Sequence, residues 1–240
     1  MLGADDLGRL EANLAALRRR IAAACAVCGR DPDGVRLVAV TKYAGASYAA
    51  ALLTLGQLDL GENRVQHLLE LAASLEGRAL PPARWHLVGH LQRNKARKVA
   101  GLLHALHSLD DLDLARRLDA ARPPDLQPLV AFVQVRLAED EGRSGVEAQA
   151  VADLVRGLGG LTRVVPAGLM GLPPQGTPEE ARPHFRGLRA LAARVRQETP
   201  LGGELSMGMT ADLEVAIAEG ATVVRVGRAL LEGLTPEALR

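Results

Sequence analysis

The chain has 240 residues, 48% of them hydrophobic and 24% charged, with 29 basic against 28 acidic side chains. That length holds one large α/β domain or two small ones, and the near-even charge excludes a protein that captures polyanions by net charge. Aromatic residues make up 2%, too few to build stacking platforms for single-stranded nucleic acid, and no apolar run reaches the roughly 18 residues that span a bilayer.

The opening MLGADDLGRLEANLA is acidic and amphipathic, unlike a signal peptide, so the expected compartment is the cytoplasm. Leu7, Leu10, Leu14, Leu17 and Ile21 recur at spacings of three and four, which predicts a helix over about 5–28, ended by Gly29 and Pro32. Cys25 and Cys28 form a CxxC near its end. With no second cysteine pair and no strand before them, they read as small buried thiols rather than a zinc or redox site. VRLVAV (35–40) is apolar at five of six positions and reads as a strand buried on both faces.

From there strands and helices alternate. A helix over about 47–56 leads to LDLGEN (58–63), and a helix over 64–75 leads to WHLVGHL (85–91). A basic helical stretch, QRNKARKVAGLL (92–103), precedes HALHSL (104–109) and a helix from near Asp110 to before Pro123. PLVAFVQVRL (128–137) is followed, after a glycine- and arginine-rich loop, by a helix over 146–158, and RVVPAGLMGL (163–172) by PPQGTP and a long helix. GGELSMGM (202–209), a helix over 211–219, ATVVRVG (221–227) and a last short helix complete the pattern. Eight such units in about 200 residues predict a single-domain α/β TIM barrel over about 35–233, with the N-terminal helix as an addition. The alternative, a doubly wound sheet, usually offers fewer strands and a glycine fingerprint after the first; neither GxGxxG nor a Walker A motif occurs.

In such a barrel the chemistry gathers at the carboxyl ends of the strands. The first strand ends in Thr41-Lys42-Tyr43, and among the basic residues only Lys42, Lys95 and Lys98 are lysines. An arginine stays protonated, whereas a partly desolvated lysine loses its proton and attacks a carbonyl. By position alone a lysine there snorkels more often than it reacts, so the other strand ends decide. They are polar and glycine-rich: Glu62 and Asn63, Gly89 and His90, Met170, Ser206 and Gly208, Gly227 and Arg228. Ser206, Gly227 and Arg228 resemble the phosphate site that barrels build after strands seven and eight, and a phosphate beside a Schiff-base lysine suggests pyridoxal phosphate. Arg225 alternates with Val224 and Val226 and so faces the barrel interior or the helix layer, where it needs an acceptor such as a pyridine nitrogen. His104 and His107 have no HExxH or carboxylate cluster beside them, so no metal is expected. Asp110, Asp111 and Asp113 read as helix-start acids.

Taken together, LVAVTKY, GENRVQ, WHLVGHLQRNK, GLMGL and ELSMGMTADLEVAIAEGATVVRVG resemble the pyridoxal phosphate homeostasis protein family (YggS/PROSC type) from about Leu37 to Gly233. The resemblance implies a barrel similar to the amino-terminal domain of alanine racemase, with pyridoxal 5′-phosphate held as an internal aldimine on Lys42. It further implies Asn63 beside the cofactor, Arg225 at the pyridine nitrogen, Ser206 with the backbone of Gly227 and Arg228 on the phosphate, and His90 and Met170 lining the mouth. Arg228 departs from the family's usual small hydroxyl residue, so its side-chain role stays open.

An arginine at the ring nitrogen weakens the electron sink, and racemases compensate with a second base from a β-rich domain of a partner subunit. The chain given ends seven residues after Gly233, so that base is expected to be absent and efficient racemisation with it. The expected function is therefore buffering or delivery of pyridoxal phosphate to apoenzymes by a monomeric, non-catalytic protein. A weak racemase or a Schiff-base lyase using Lys42 is the alternative, and RNA binding through the Arg93–Lys98 stretch lacks the charge excess and aromatics it would need.

Overall fold

The computed structural model describes residues 2–42, 44–137, 144–236 and 238; Tyr43 and residues 138–143, expected as a glycine- and arginine-rich loop, lie outside the described residues. Strands β1 (Arg36–Val40), β2 (Asp59–Glu62), β3 (Arg84–Leu87), β4 (Leu103–Leu109), β5 (Leu129–Val135), β6 (Val164–Gly171), β7 (Glu204–Ser206) and β8 (Val223–Val226) pair in chain order into a closed barrel. Every pair is parallel, and β8 closes on β1 through Val38 opposite Arg225. The connecting helices are α2 (Ala46–Thr54), α3 (Val65–Leu75), α4 (Ala96–Val99), α5 (Leu112–Ala121), α6 (Val151–Leu158), α7 (Pro178–Arg196), α8 (Leu213–Ala218) and α9 (Arg228–Leu231), with α1 (Ala4–Val27) ahead of the barrel. The expected α/β barrel with an added N-terminal helix is thus present.

Alternation along the strands sorts the side chains into two cores. Leu37 and Ala39, Leu60, Trp85 and Leu87, Leu205, and Val224 and Val226 join the layer between barrel and helices. Val38, Ala105, Phe132, Met170 and Val223 form a smaller cluster of their own. Helix α1 adds Leu10, Leu14, Leu17 and Ile21, all buried, against α8 and α9, each worth about 2 kcal/mol over exposure. The Arg30 guanidinium pins the end of α1 by donating to the carbonyls of Ile217 and Ala221 at 2.6 and 2.8 Å. Cys25 at this seam is buried, Cys28 is half-buried, and both are free thiols.

Three elements differ from the sequence reading. The helix expected from 146 begins at Val151, because Val146 is drawn into extended pairing: its N–H donates to Gln134 O and its carbonyl accepts from the Arg136 N–H, both at 2.9 Å. The basic stretch at 92–103 yields only a 3₁₀ turn at Arg93–Lys95 and the single turn of α4. The seventh strand is cut to Glu204–Ser206, since Gly208 turns at φ +94, a left-handed conformation costly for other residues, with Ala216 Cβ only 2.5 Å from where a Cβ would sit. Among the described residues no helix is long and apolar enough to cross a membrane.

Candidate functional site

Parallel strands bring all their carboxyl ends to one rim, which places Lys42, Asn63, His90, Ser206, Gly227 and Arg228 at the same end of the barrel. Lys42 stands two residues beyond β1 and is exposed. Below it, buried Thr41 donates from Oγ1 to Glu62, whose second carboxylate oxygen lies 2.9 Å from His67 Nδ1. These contacts tie the end of β1 to that of β2. Lys42, Glu62, Asn63 and His67 border one cleft of about 270 Å³. Asn63 also borders a cavity of about 420 Å³ with His90, Gln134, Leu172 and Met209, a size suited to a small ligand.

Asn63 does not cap a helix, since Arg64 occupies that position of α3. Its placement depends on Gly89: a Cβ there would fall 2.1 Å from the Asn63 carbonyl oxygen, so only glycine lets the two strand ends approach. His90 is exposed, with Nδ1 3.8 Å from Asp110. Gly227 brings the end of β8 close to the Val40 carbonyl, and exposed Arg228 opens α9.

Two residues expected at the site are buried. Met170 is 1% exposed and packs in the apolar cluster with Val38, Phe132 and Val223. Ser206 is fully buried, and its hydroxyl is engaged by neighbouring side chains: Arg225 Nη1 donates to Oγ at 2.5 Å, and His107 Nδ1 lies 2.7 Å away. Alternation explains both, because residues at every second place of a barrel strand point inward.

The same alternation assembles a polar chain that the sequence reading missed. His107 Nε2 lies 2.9 Å from His86 Nδ1, and His86 Nε2 lies 2.9 Å from Asp59 Oδ1. Arg84 closes that end with a bidentate pair onto Asp59, at 2.9 and 2.5 Å. The His107 ring also stacks on Phe132, with centroids 4.5 Å apart at 19°. The signal was available: Asp59 in LDLG, His86 in WHLV and His107 in HALHSL each interrupt an apolar strand at a position that buries a polar group.

Burial dominates the electrostatics here. It drives the His107 imidazole well below the usual histidine range and lowers that of His86 despite the Asp59 carboxylate. Half-buried His104 is lowered to about 4 by burial, with His86 adding to the shift. Burial pushes the Asp59 carboxyl upward, but hydrogen bonds from His86 and Arg84 outweigh it and hold the group well below the carboxylate range. Arg225 is lowered to about 10 by burial, partly offset by Asp212. It also donates to the Gly171 carbonyl at 3.3 Å. No carboxylate among the described residues lies within ion-pair distance of it.

Asp59 also supplies the carboxylate that sequence inspection did not find beside the histidines: Asp59, His86 and His104 hold donor atoms within 4.8 Å of one another. Arg84 and His86 already occupy both Asp59 oxygens, so the arrangement is that of a buried carboxylate paired with an arginine reaching in from the surface. The basic stretch is partly balanced, Arg93 pairing with Asp111 at 2.5 Å and approaching Asp113. Asp111 in turn caps α5 by accepting from the Leu114 N–H.

Residues 6–235 match the alanine racemase N-terminal domain family. The pyridoxal phosphate homeostasis protein of Escherichia coli K12 is 36% identical over 222 residues, covering 91% of this chain and 94% of its own. That of Pseudomonas aeruginosa is 38% identical over 222 residues, covering 91% and 93%. PipY of Synechococcus elongatus, solved with pyridoxal phosphate bound, superposes with a TM-score of 0.80 at 36% identity over 92% of this chain and 99% of its own. The chain therefore belongs to the pyridoxal phosphate homeostasis protein family, within the wider group built on the alanine racemase N-terminal domain.

Proposed function

We propose that this protein binds pyridoxal 5′-phosphate at the carboxyl rim of the barrel and serves its homeostasis, holding or delivering the cofactor rather than turning over a substrate. The observation that carries this reading is Arg225, a buried cation at the inner face of β8 whose partners are neutral acceptors, Ser206 Oγ and Gly171 O. A pyridine nitrogen is the kind of acceptor such a group can serve. The donor set around it suits the rest of the cofactor: a lysine amine at the rim for an aldehyde, and the Gly227 and Arg228 backbone with the Arg228 guanidinium for a phosphate. The bound cofactor supplies an aldehyde carbon with which a primary amine condenses, losing water.

In this reading Lys42 forms the covalent link, Asn63 and His90 border the ligand cavity, and Ser206 orients Arg225. Arg225 cannot take a proton from the ring nor readily give it one, so the ring stays neutral and carbanion chemistry is disfavoured, which suits a carrier. The whole chain acts as one domain and one monomer, and apoenzymes are the recipients. The test is visible absorption of the protein with added pyridoxal phosphate, beside Lys42→Ala. Saturable uptake by the wild type and its loss in the variant is the expected result. Racemisation of several amino acids at ordinary enzyme rates would overturn the carrier reading.

A further inference from the structure

The interior chain runs through five side chains: Arg225 Nη1 to Ser206 Oγ at 2.5 Å, Ser206 Oγ to His107 Nδ1 at 2.7 Å, His107 Nε2 to His86 Nδ1 at 2.9 Å, and His86 Nε2 to Asp59 Oδ1 at 2.9 Å. It starts on a group that only donates and ends on one that, when ionised, only accepts. Those two ends allow one direction. Asp59 requires a proton on His86 Nε2, so neutral His86 carries none on Nδ1 and must accept there. His107 then donates from Nε2 and accepts at Nδ1, and among the described residues the donor within reach of Nδ1 is the Ser206 hydroxyl. Ser206 is left with its oxygen lone pairs toward Arg225.

The opposite direction would leave a bare His86 Nε2 facing the Asp59 carboxylate at 2.9 Å, two lone pairs in contact. A doubly protonated histidine is opposed by burial and by Arg36, Arg84 and Arg225, whose charges bear on these rings. Each member is at most 5% exposed, so water does not compete for the bonds.

We propose that Asp59, His86 and His107 form a one-way hydrogen-bond chain that fixes Ser206 as an acceptor, making Ser206 a positioning residue for Arg225 and not a phosphate ligand. Its only hydroxyl proton is committed to His107, so it has none to give a phosphate. The phosphate is then held by other rim groups, the Gly227 and Arg228 backbone among them. The tautomers stand independently of the proposed function; the consequence for the cofactor rests on it.

The direct test is ¹⁵N NMR of the imidazoles in the cofactor-free wild-type protein at pH 7. Protons on Nε2 of both His86 and His107 are expected; a proton on Nδ1 of either ring overturns the chain. The second test compares uptake of pyridoxal 5′-phosphate with that of pyridoxal by wild type and Ser206→Ala. Loss of one hydrogen bond to Arg225 weakens both ligands by about fivefold, leaving the ratio between them unchanged. A loss confined to the phosphorylated ligand would make Ser206 a phosphate contact and overturn the assignment. His107→Gln, whose carboxamide both accepts and donates, retains more affinity than His107→Leu; equal losses in the two count against the chain. If the wild type takes up neither ligand the proposed function fails, while the tautomer result still decides the chain.

Discussion

Acidification should unfold this protein through its buried histidines before its carboxylates. His86 and His107 are fully buried; burial holds His107 well below the ordinary imidazole range and lowers His86. In the unfolded chain each titrates near pH 6.5. A group whose folded pKa is depressed contributes stability above its unfolded pKa and loses it as pH falls. Between pH 8 and pH 5 His107 therefore costs about 2 kcal/mol, since the unfolded state gains a proton the folded state refuses, with a slope approaching about 1.4 kcal/mol per pH unit. His86, lowered against the pull of the Asp59 carboxylate, adds to that loss, which comes out of the ~5–15 kcal/mol that holds a typical fold. His104, lowered to about 4 but only half-buried, adds a smaller amount. Asp59 is held well below the carboxylate range and does not act until lower pH. The assay is the urea midpoint from pH 8 to pH 5, with constant m-value as the check on two-state behaviour. A flat profile over that window would refute the reasoning, as would an unchanged slope in His107→Gln, which removes one titrating group.

Other outcomes follow from single contacts. Gly89→Ala should displace the Asn63 turn, because its Cβ would sit 2.1 Å from the Asn63 carbonyl; reduced uptake of pyridoxal phosphate by titration checks it. Phe132→Ala opens a cavity in the interior cluster and removes the ring that His107 stacks on at 4.5 Å, which should cost about 3–5 kcal/mol in denaturant unfolding. Thr177→Ala dismantles the capping box that starts α7, in which Thr177 and Glu180 satisfy each other's backbone N–H groups. The expected loss is about 1 kcal/mol with no change in cofactor uptake.

The order of strands and helices was legible because short apolar or β-branched runs such as VRLVAV, PLVAFVQVRL and ATVVRVG alternate with helix-spaced segments, with glycines and prolines between many of them. Lys42 was legible because lysine is rare here, and Arg225 because a cation between Val224 and Val226 has to be explained. The polar chain was not, for a geometric reason. Asp59, His86, His107 and Ser206 sit on four strands far apart in sequence, and only closure of the barrel shows that their inward positions meet. Ser206, expected at the phosphate, stands before a glycine-rich turn, and its contacts with Arg225 and His107 across the barrel are not visible in the sequence. Met170 sits beside glycines at a strand end, which suggested the rim, yet strand alternation turns it inward to Phe132 and Val38. Val146 was read by helical spacing, while its backbone pairs with β5.

Lys42 is the residue proposed to hold the cofactor. The most direct measurement is peptide mass mapping after adding pyridoxal 5′-phosphate and reducing with borohydride. One equivalent of phosphopyridoxyl group is expected, on the peptide containing Lys42, with Lys95 and Lys98 unmodified. Modification spread over the three lysines, or none at Lys42 when the others are labelled, would contradict it.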